Sequence, residues 1–127
     1  MALRSLIVDD NVRFLSAARR LLERQGIAVV GVASSGAEAV QLAGELQPDV
    51  ALVDIDLGQE NGFDIARRLA GSDGPELSPV VLISAYPEMD FAELIAASPA
   101  IGFLPKADVS ASSIHAVLER AEDGGAG

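Results

Sequence analysis

Short apolar runs alternate along this chain with stretches in which apolar residues recur every three or four positions, the pattern of strands alternating with helices around a parallel sheet. Leu3 to Val8 reads as a first strand. Phe14, Leu15, Ala18, Leu21 and Leu22 mark one face of a first helix, which Asn11 or Asp10 can cap and Gly26 stops. Ala28 to Ala33 reads as a second strand. Ser35-Gly36-Ala37-Glu38 then opens a second helix, with Val40, Leu42, Ala43 and Leu46 on its apolar face and Pro48 beyond its end. Val50 to Val53 is the third strand, and a glycine-containing loop over Asp56 to Gly62 leads into a helix from about Phe63 to Ala70. The turn-rich Gly71-Ser72-Asp73-Gly74-Pro75 precedes a fourth strand at Val80 to Ile83. A weaker helix over Met89 to Ala97, a fifth strand at Ile101 to Leu104 and a final helix through Ile114, Val117, Leu118 and Ala121 complete the series. Asp123-Gly124-Gly125-Ala126-Gly127 reads as a flexible tail or the start of a linker.

These pairs in 127 residues predict one α/β domain, doubly wound about a parallel sheet and occupying residues 1–122. No run approaches the ~20 apolar residues that span a bilayer. The N-terminus has no secretory pattern and the chain has no cysteine, so the expected location is the cytoplasm, without a disulfide framework. The net charge of -10 repels phosphate backbones and anionic lipids, so this domain is not expected to bind nucleic acid or membrane directly.

The apolar runs end in a small set of polar residues: Asp9-Asp10 after the first, Asp54 after the third, Ser84 after the fourth and Lys106 after the fifth. In an open parallel sheet the carboxyl ends of the strands lie on one side, where ligands bind. Asp and Ser are also ordinary loop and cap residues, and each alone carries little weight. Together they place carboxylates, a hydroxyl and an ammonium at one sheet edge, the composition of a phosphoryl-transfer site. Crowded carboxylates repel one another, and a hard divalent cation such as Mg²⁺ offsets that repulsion while keeping positions open for water and phosphate oxygens.

The ordered combination of Val8-Asp9-Asp10-Asn11, Asp54 with Gly62 after its loop, Ser84-Ala85, and Gly102-Phe103-Leu104-Pro105-Lys106 resembles the receiver domain of a two-component response regulator from Leu3 to about Ala121. Gly-Phe-Leu-Pro-Lys followed by a residue other than proline is similar to the NarL/FixJ group, whose receivers usually precede a helix-turn-helix output domain, a domain that this chain to Gly127 does not contain. The resemblance implies a flavodoxin-like (βα)5 fold with strand order 2-1-3-4-5. It makes Asp54 the acceptor of a phosphoryl group from a sensor histidine kinase or phosphotransfer protein, with Asp10, Asp54, the backbone carbonyl of Asp56 and, partly through water, Asp9 binding Mg²⁺. Lys106, Ser84 and Ala85 would contact the phosphoryl group, and Ser84 and Phe103 would act as the switch. The implied readout is a transcription-regulating change in the surface of the fourth helix, fifth strand and fifth helix, with homodimerisation as one consequence. Only self-phosphorylation and autodephosphorylation are implied, not multiple turnover of a substrate.

Several positions depart from that pattern. Gly58 stands where many receivers have proline, which predicts a less rigid loop. Phe103 takes the place of a frequent tyrosine and has a plain core-packing reading beside the switch reading. Asp56 is either a solvated loop acid or a group that tunes phosphoryl lifetime. Tyr86 is ambiguous in the same way, and His115 lies in the last helix away from the site. Ala107, not proline, follows Lys106, so that bond is expected trans. Two rivals use the same residues. Asp54-Ile55-Asp56 also resembles the Asp-x-Asp of haloacid dehalogenase-like phosphatases, although those place the nucleophile early and the acid pair last. The other rival is a receiver-like module that binds partners without being phosphorylated.

Overall fold

Alternation of apolar side chains along the central strands sends successive residues to opposite faces of a sheet and creates two cores. In the computed structural model, which describes residues 2–71 and 74–126, the elements run β1 (Arg4–Val8), α1 (Val12–Arg24), β2 (Ala28–Ala33), α2 (Gly36–Leu46), β3 (Val50–Asp54), β4 (Asp56–Leu57), β5 (Glu60–Asn61), α3 (Gly62–Leu69), β6 (Val80–Ser84), α4 (Ala92–Ala97), β7 (Gly102–Pro105) and α5 (Ala111–Ala126). Five strands form one parallel sheet in the order β2-β1-β3-β6-β7. With the short β4–β5 hairpin set aside, that is the expected 2-1-3-4-5 order of a flavodoxin-like fold. Leu6, Val8, Ala51, Val53, Val80 and Leu82 face a core shared with α2 and α3. Ile7, Val50, Leu52, Val81 and Ile83 face the other, shared with α1 and α5.

Local chemistry fixes where the helices start and stop. Asn11 caps α1 by accepting a bond from the Phe14 amide at 3.1 Å, and Gly26, at φ 91°, turns the chain toward β2. Ser35 caps α2 through the Glu38 amide at 3.2 Å, while the Glu38 carboxylate accepts from the Ser34 amide at 2.7 Å. Gln47 leaves α2 in the left-handed conformation immediately before Pro48.

The structure differs from the sequence reading in three places. The loop after Asp54 contains an antiparallel hairpin, Asp56↔Asn61 and Leu57↔Glu60, closed by Gly58-Gln59. Gly58, expected to loosen this loop, sits at φ 66°, where the two-residue turn needs a glycine and proline cannot go. The helix expected from Met89 begins as a 3-10 turn over Glu88–Phe91 before α4. The final helix takes in residues 123–126, where a tail was expected, because each added residue closes another backbone bond and glycine costs only about 1 kcal/mol per position. Residue 127, the end of that expected tail, lies outside the described residues, as do Ser72 and Asp73 of the expected turn. Among the described residues no peptide bond is cis, which includes Lys106-Ala107.

Candidate functional site

The carboxyl ends of β1, β3, β6 and β7 deliver the predicted polar residues to one edge. Asp9 follows β1, Asp54 ends β3, Ser84 ends β6 and Lys106 follows β7. Parallel pairing of β6 on both sides, Asp54↔Ile83 and Ser84↔Pro105, keeps these ends level. Pro105 costs no ladder bond because β7 is an edge strand.

Asp9 is fully buried and Asp54 is 4 % exposed, whereas Asp10 lies in solvent. One carboxylate oxygen from each of the three lies within 4.8 Å of the others. Lys106 Nζ reaches between them, 2.6 Å from Asp9 Oδ2 and 3.1 Å from Asp54 Oδ2. Asp9 Oδ2 is buried, and the Lys106 ammonium is its partner. The other Asp9 oxygen accepts from the Asn11 amide at 2.9 Å, and Asp54 Oδ1 accepts from the Asp56 amide at 3.2 Å. Phe14 supports the lysine from the side, its ring centroid 4.7 Å from Nζ.

Three carboxylates and one ammonium leave the cluster short of positive charge. Burial pushes the Asp54 carboxyl from the ordinary 3.8 up to about 6; the Asp56 amide works against that shift, Asp9 adds to it and Lys106 opposes it. Burial lowers the Lys106 ammonium, but Asp9 and Asp54 outweigh it and hold the lysine above its usual value. Three carboxylates that bring oxygens within 4.8 Å of one another, two of them buried, are hard donors that fit a divalent cation such as Mg²⁺.

The remaining predicted residues separate into two groups. Ser84 is buried and its Oγ accepts from the Tyr86 amide at 2.9 Å, which leaves the hydroxyl hydrogen free to donate elsewhere. Ala85 beside it is exposed. Phe103 is 8 % exposed and packs in the core on the α2–α3 face, in agreement with its packing reading. Asp56 and His115 are exposed, and Tyr86 is 56 % exposed at a groove beside the hairpin.

Two supporting residues, Glu60 and Phe14, were not singled out by the sequence, and Gly62, quoted there only as part of the motif, gains a physical reason. Glu60, on the hairpin, accepts the Gly36 amide with both carboxylate oxygens, at 3.1 and 3.0 Å, and so ties the loop after Asp54 to the start of α2. A side chain on Gly62 would place its Cβ 2.1 Å from the backbone oxygen of Asp54, so only glycine permits this approach. Phe14 appeared only as one more apolar residue of a helix. The Gly-x pair at 58–59 was the readable signal for the hairpin; the contacts of Glu60 and Phe14 join distant segments and had none. A cavity of about 490 Å³ lined by Leu3, Asp49, Ile101 and Leu118 lies near the amino ends of the strands and contains none of these site residues.

Residues 5–119 match the response regulator receiver domain family. The chain is 32% identical over 116 residues to the response regulator GacA of Pseudomonas viridiflava, covering 91% of this chain and 53% of that protein. The signal receiver domain of the response regulator NarL from Mycobacterium tuberculosis superposes with a TM-score of 0.78 at 31% identity, covering 95% of this chain and 97% of that one. A response regulator from Burkholderia pseudomallei, solved with a phosphorylated aspartic acid, calcium ion and citrate, superposes with a TM-score of 0.77 at 29% identity over 98% of this chain and 71% of its own. The chain spans about half the length of the curated relatives it matches. Among the described residues no helix is long and apolar enough to cross a membrane.

Proposed function

This chain belongs to the response regulator receiver domain family, and on that premise we propose that it is a signalling switch in which Asp54 accepts a phosphoryl group from a phosphohistidine on a sensor kinase or phosphotransfer protein. The observation that carries the reading is the position of Lys106 Nζ between the buried carboxylates of Asp9 and Asp54. An Asp54 oxygen forms the new bond to phosphorus while the phosphorus–nitrogen bond breaks, and the departing imidazole keeps that electron pair. Hydrolysis reverses the state: water attacks phosphorus, the bond to Asp54 breaks, and inorganic phosphate leaves. With its carboxyl at about 6, Asp54 is mostly ionised near neutral pH and able to act as nucleophile.

Phosphoryl transfer is largely positioning and charge neutralisation, so each neighbour has a definite task. Lys106 follows the charge from the free carboxylate onto the phosphoryl oxygens. Ser84 turns its free hydroxyl hydrogen toward one of those oxygens, and exposed Ala85 leaves space for the group with its amide as a further donor. Asp10 and Asp54, the Asp56 carbonyl and, through water, Asp9 would hold Mg²⁺, which when bound supplies the positive charge that three carboxylates and one lysine lack. The movement of Ser84, together with Phe103, then shifts the population of two surface arrangements over α4, β7 and α5.

In the whole protein this switch would control transcription through a helix-turn-helix output domain, with homodimerisation on phosphorylation, in the cytoplasm. Residues 1–122 would be the receiver and the segment around 123–127 the start of the connection. The domain turns over no separate substrate and, at a net charge of -10, leaves nucleic acid to the output domain. The test is labelling by acetyl phosphate with Mg²⁺, followed by intact-mass measurement. Wild type should gain one phosphoryl group and Asp54→Ala none. Labelling retained in Asp54→Ala moves the acceptor elsewhere, and no labelling of folded wild type favours the partner-binding module that is never phosphorylated.

A further inference from the structure

Among the described residues the most exposed large hydrophobic side chains are Val12, Tyr86, Met89 and Leu94, and three of these four fall between residues 86 and 94. They are not scattered. Tyr86 and Leu94, with Phe91 between them, line one wall of a groove of about 390 Å³ whose other wall is the β4–β5 hairpin. Ile55 and Phe63 contribute its apolar lining, and Asp56 and Glu60 stand on the hairpin side. The groove reaches α4 through Leu94 but includes no residue of β7 or α5.

Its charge has one sign. The sequence has no lysine or arginine from Gln25 to Ala66 or from Leu69 to Pro105, and these two stretches supply every lining residue of the groove. Glu88, Asp90 and Glu93 flank the apolar side chains, all exposed. Such a surface repels anionic lipid headgroups and nucleic acid, and it attracts a basic ligand whose apolar side chains can cover Tyr86, Met89 and Leu94.

We propose that the groove between the β4–β5 hairpin and the segment from Tyr86 to Leu94 docks a cationic amphipathic segment of a partner protein, two or three of its apolar side chains entering the groove and its basic residues facing Asp56, Glu88, Asp90 and Glu93. Helix-in-groove recognition uses this division of labour, apolar anchors for affinity and rim charges for orientation and rate. The proposal concerns the unphosphorylated surface and does not rest on phosphoryl transfer at Asp54.

The test uses the full ¹⁵N-labelled chain without phosphodonor. The probes are two synthetic helices of about 14 residues with the same Leu/Phe face, one with lysine on the polar face and one with glutamate. The lysine peptide should shift amide resonances within 55–63 and 86–94. Its affinity should fall about tenfold in Met89→Ser/Leu94→Ser, whose exposed positions spare the core, and several-fold when salt is raised. Val12→Ser should bind as wild type. Absence of shifts, equal binding of the glutamate peptide, or shifts that map to α1 or α5 would overturn the proposal. So would self-association in the centrifuge that Met89→Ser/Leu94→Ser abolishes, since the α1 face of a second copy, with Val12 and Arg13, would then be the occupant.

Discussion

Replacing Asp54 by asparagine should stabilise the metal-free protein near neutral pH while destroying its proposed function. Asp54 is 4 % exposed, and its carboxyl is lifted from 3.8 to about 6, chiefly by burial with the charge of Asp9 adding to it. Because the folded value lies above the unfolded one, the native state binds more protons between those limits. Stability from this group is therefore greatest below about pH 4, declines as pH rises, and is fully lost above about pH 6. A shift of about two units at about 1.4 kcal/mol each makes the penalty about 3 kcal/mol. Asparagine removes that penalty and keeps an oxygen for the Asp56 amide, and the Lys106 contact that it gives up is already included in the raised carboxyl. The expected net gain is therefore about 3 kcal/mol, read by urea denaturation in EDTA at about pH 7.5. It should shrink to nothing at about pH 4, and Mg²⁺ should narrow it by stabilising wild type more. An asparagine variant no more stable than wild type at the higher pH, or a gap indifferent to pH, would refute the charge-strain reasoning.

The other expectations address neighbours of that carboxylate. Asp10→Ala should leave the fold intact, since Asp10 is exposed, yet weaken Mg²⁺ binding at least about tenfold by titration calorimetry, because a hard oxygen ligand and a negative charge leave together. Equal affinity in the two proteins would reject the site. Gly62→Ala should cost about 2–3 kcal/mol in urea denaturation and slow acetyl phosphate labelling, since its Cβ would come within 2.1 Å of the Asp54 backbone oxygen and 2.7 Å of the Ile55 Cα. A variant as stable and as fast as wild type would show that this backbone yields freely. Asp56→Asn should accelerate labelling with the fold unchanged, by removing negative charge next to incoming phosphoryl oxygens. Unchanged labelling and hydrolysis would make Asp56 a solvated loop acid, and slower labelling would mean that its charge assists through the cation.

Strand and helix periods determined the order of the elements along the chain and the parallel sheet, while the strand order β2-β1-β3-β6-β7 was expected only from the family resemblance. The shared edge of Asp9, Asp54, Ser84 and Lys106 was legible because a strand's end is a local property and parallel pairing puts all such ends on one side. The hairpin at 56–61 escaped because each of its strands is two residues long, too short for any period to show. Glu60 on the Gly36 amide, Phe14 beside Lys106 and Gly62 against the Asp54 carbonyl are likewise products of packing. Glu60 and Phe14 each join segments that the chain keeps far apart, while Gly62 returns across its own loop. The separate fates of Asp9, Asp10 and Asp54 belong to the tertiary structure too. All three are aspartates at strand ends in the sequence, but only folding buries Asp9 and Asp54 and leaves Asp10 in water. Burial is a sum over everything that surrounds a group, and it is burial that lifts the Asp54 carboxyl and leaves Lys106 as the partner of a buried Asp9 oxygen.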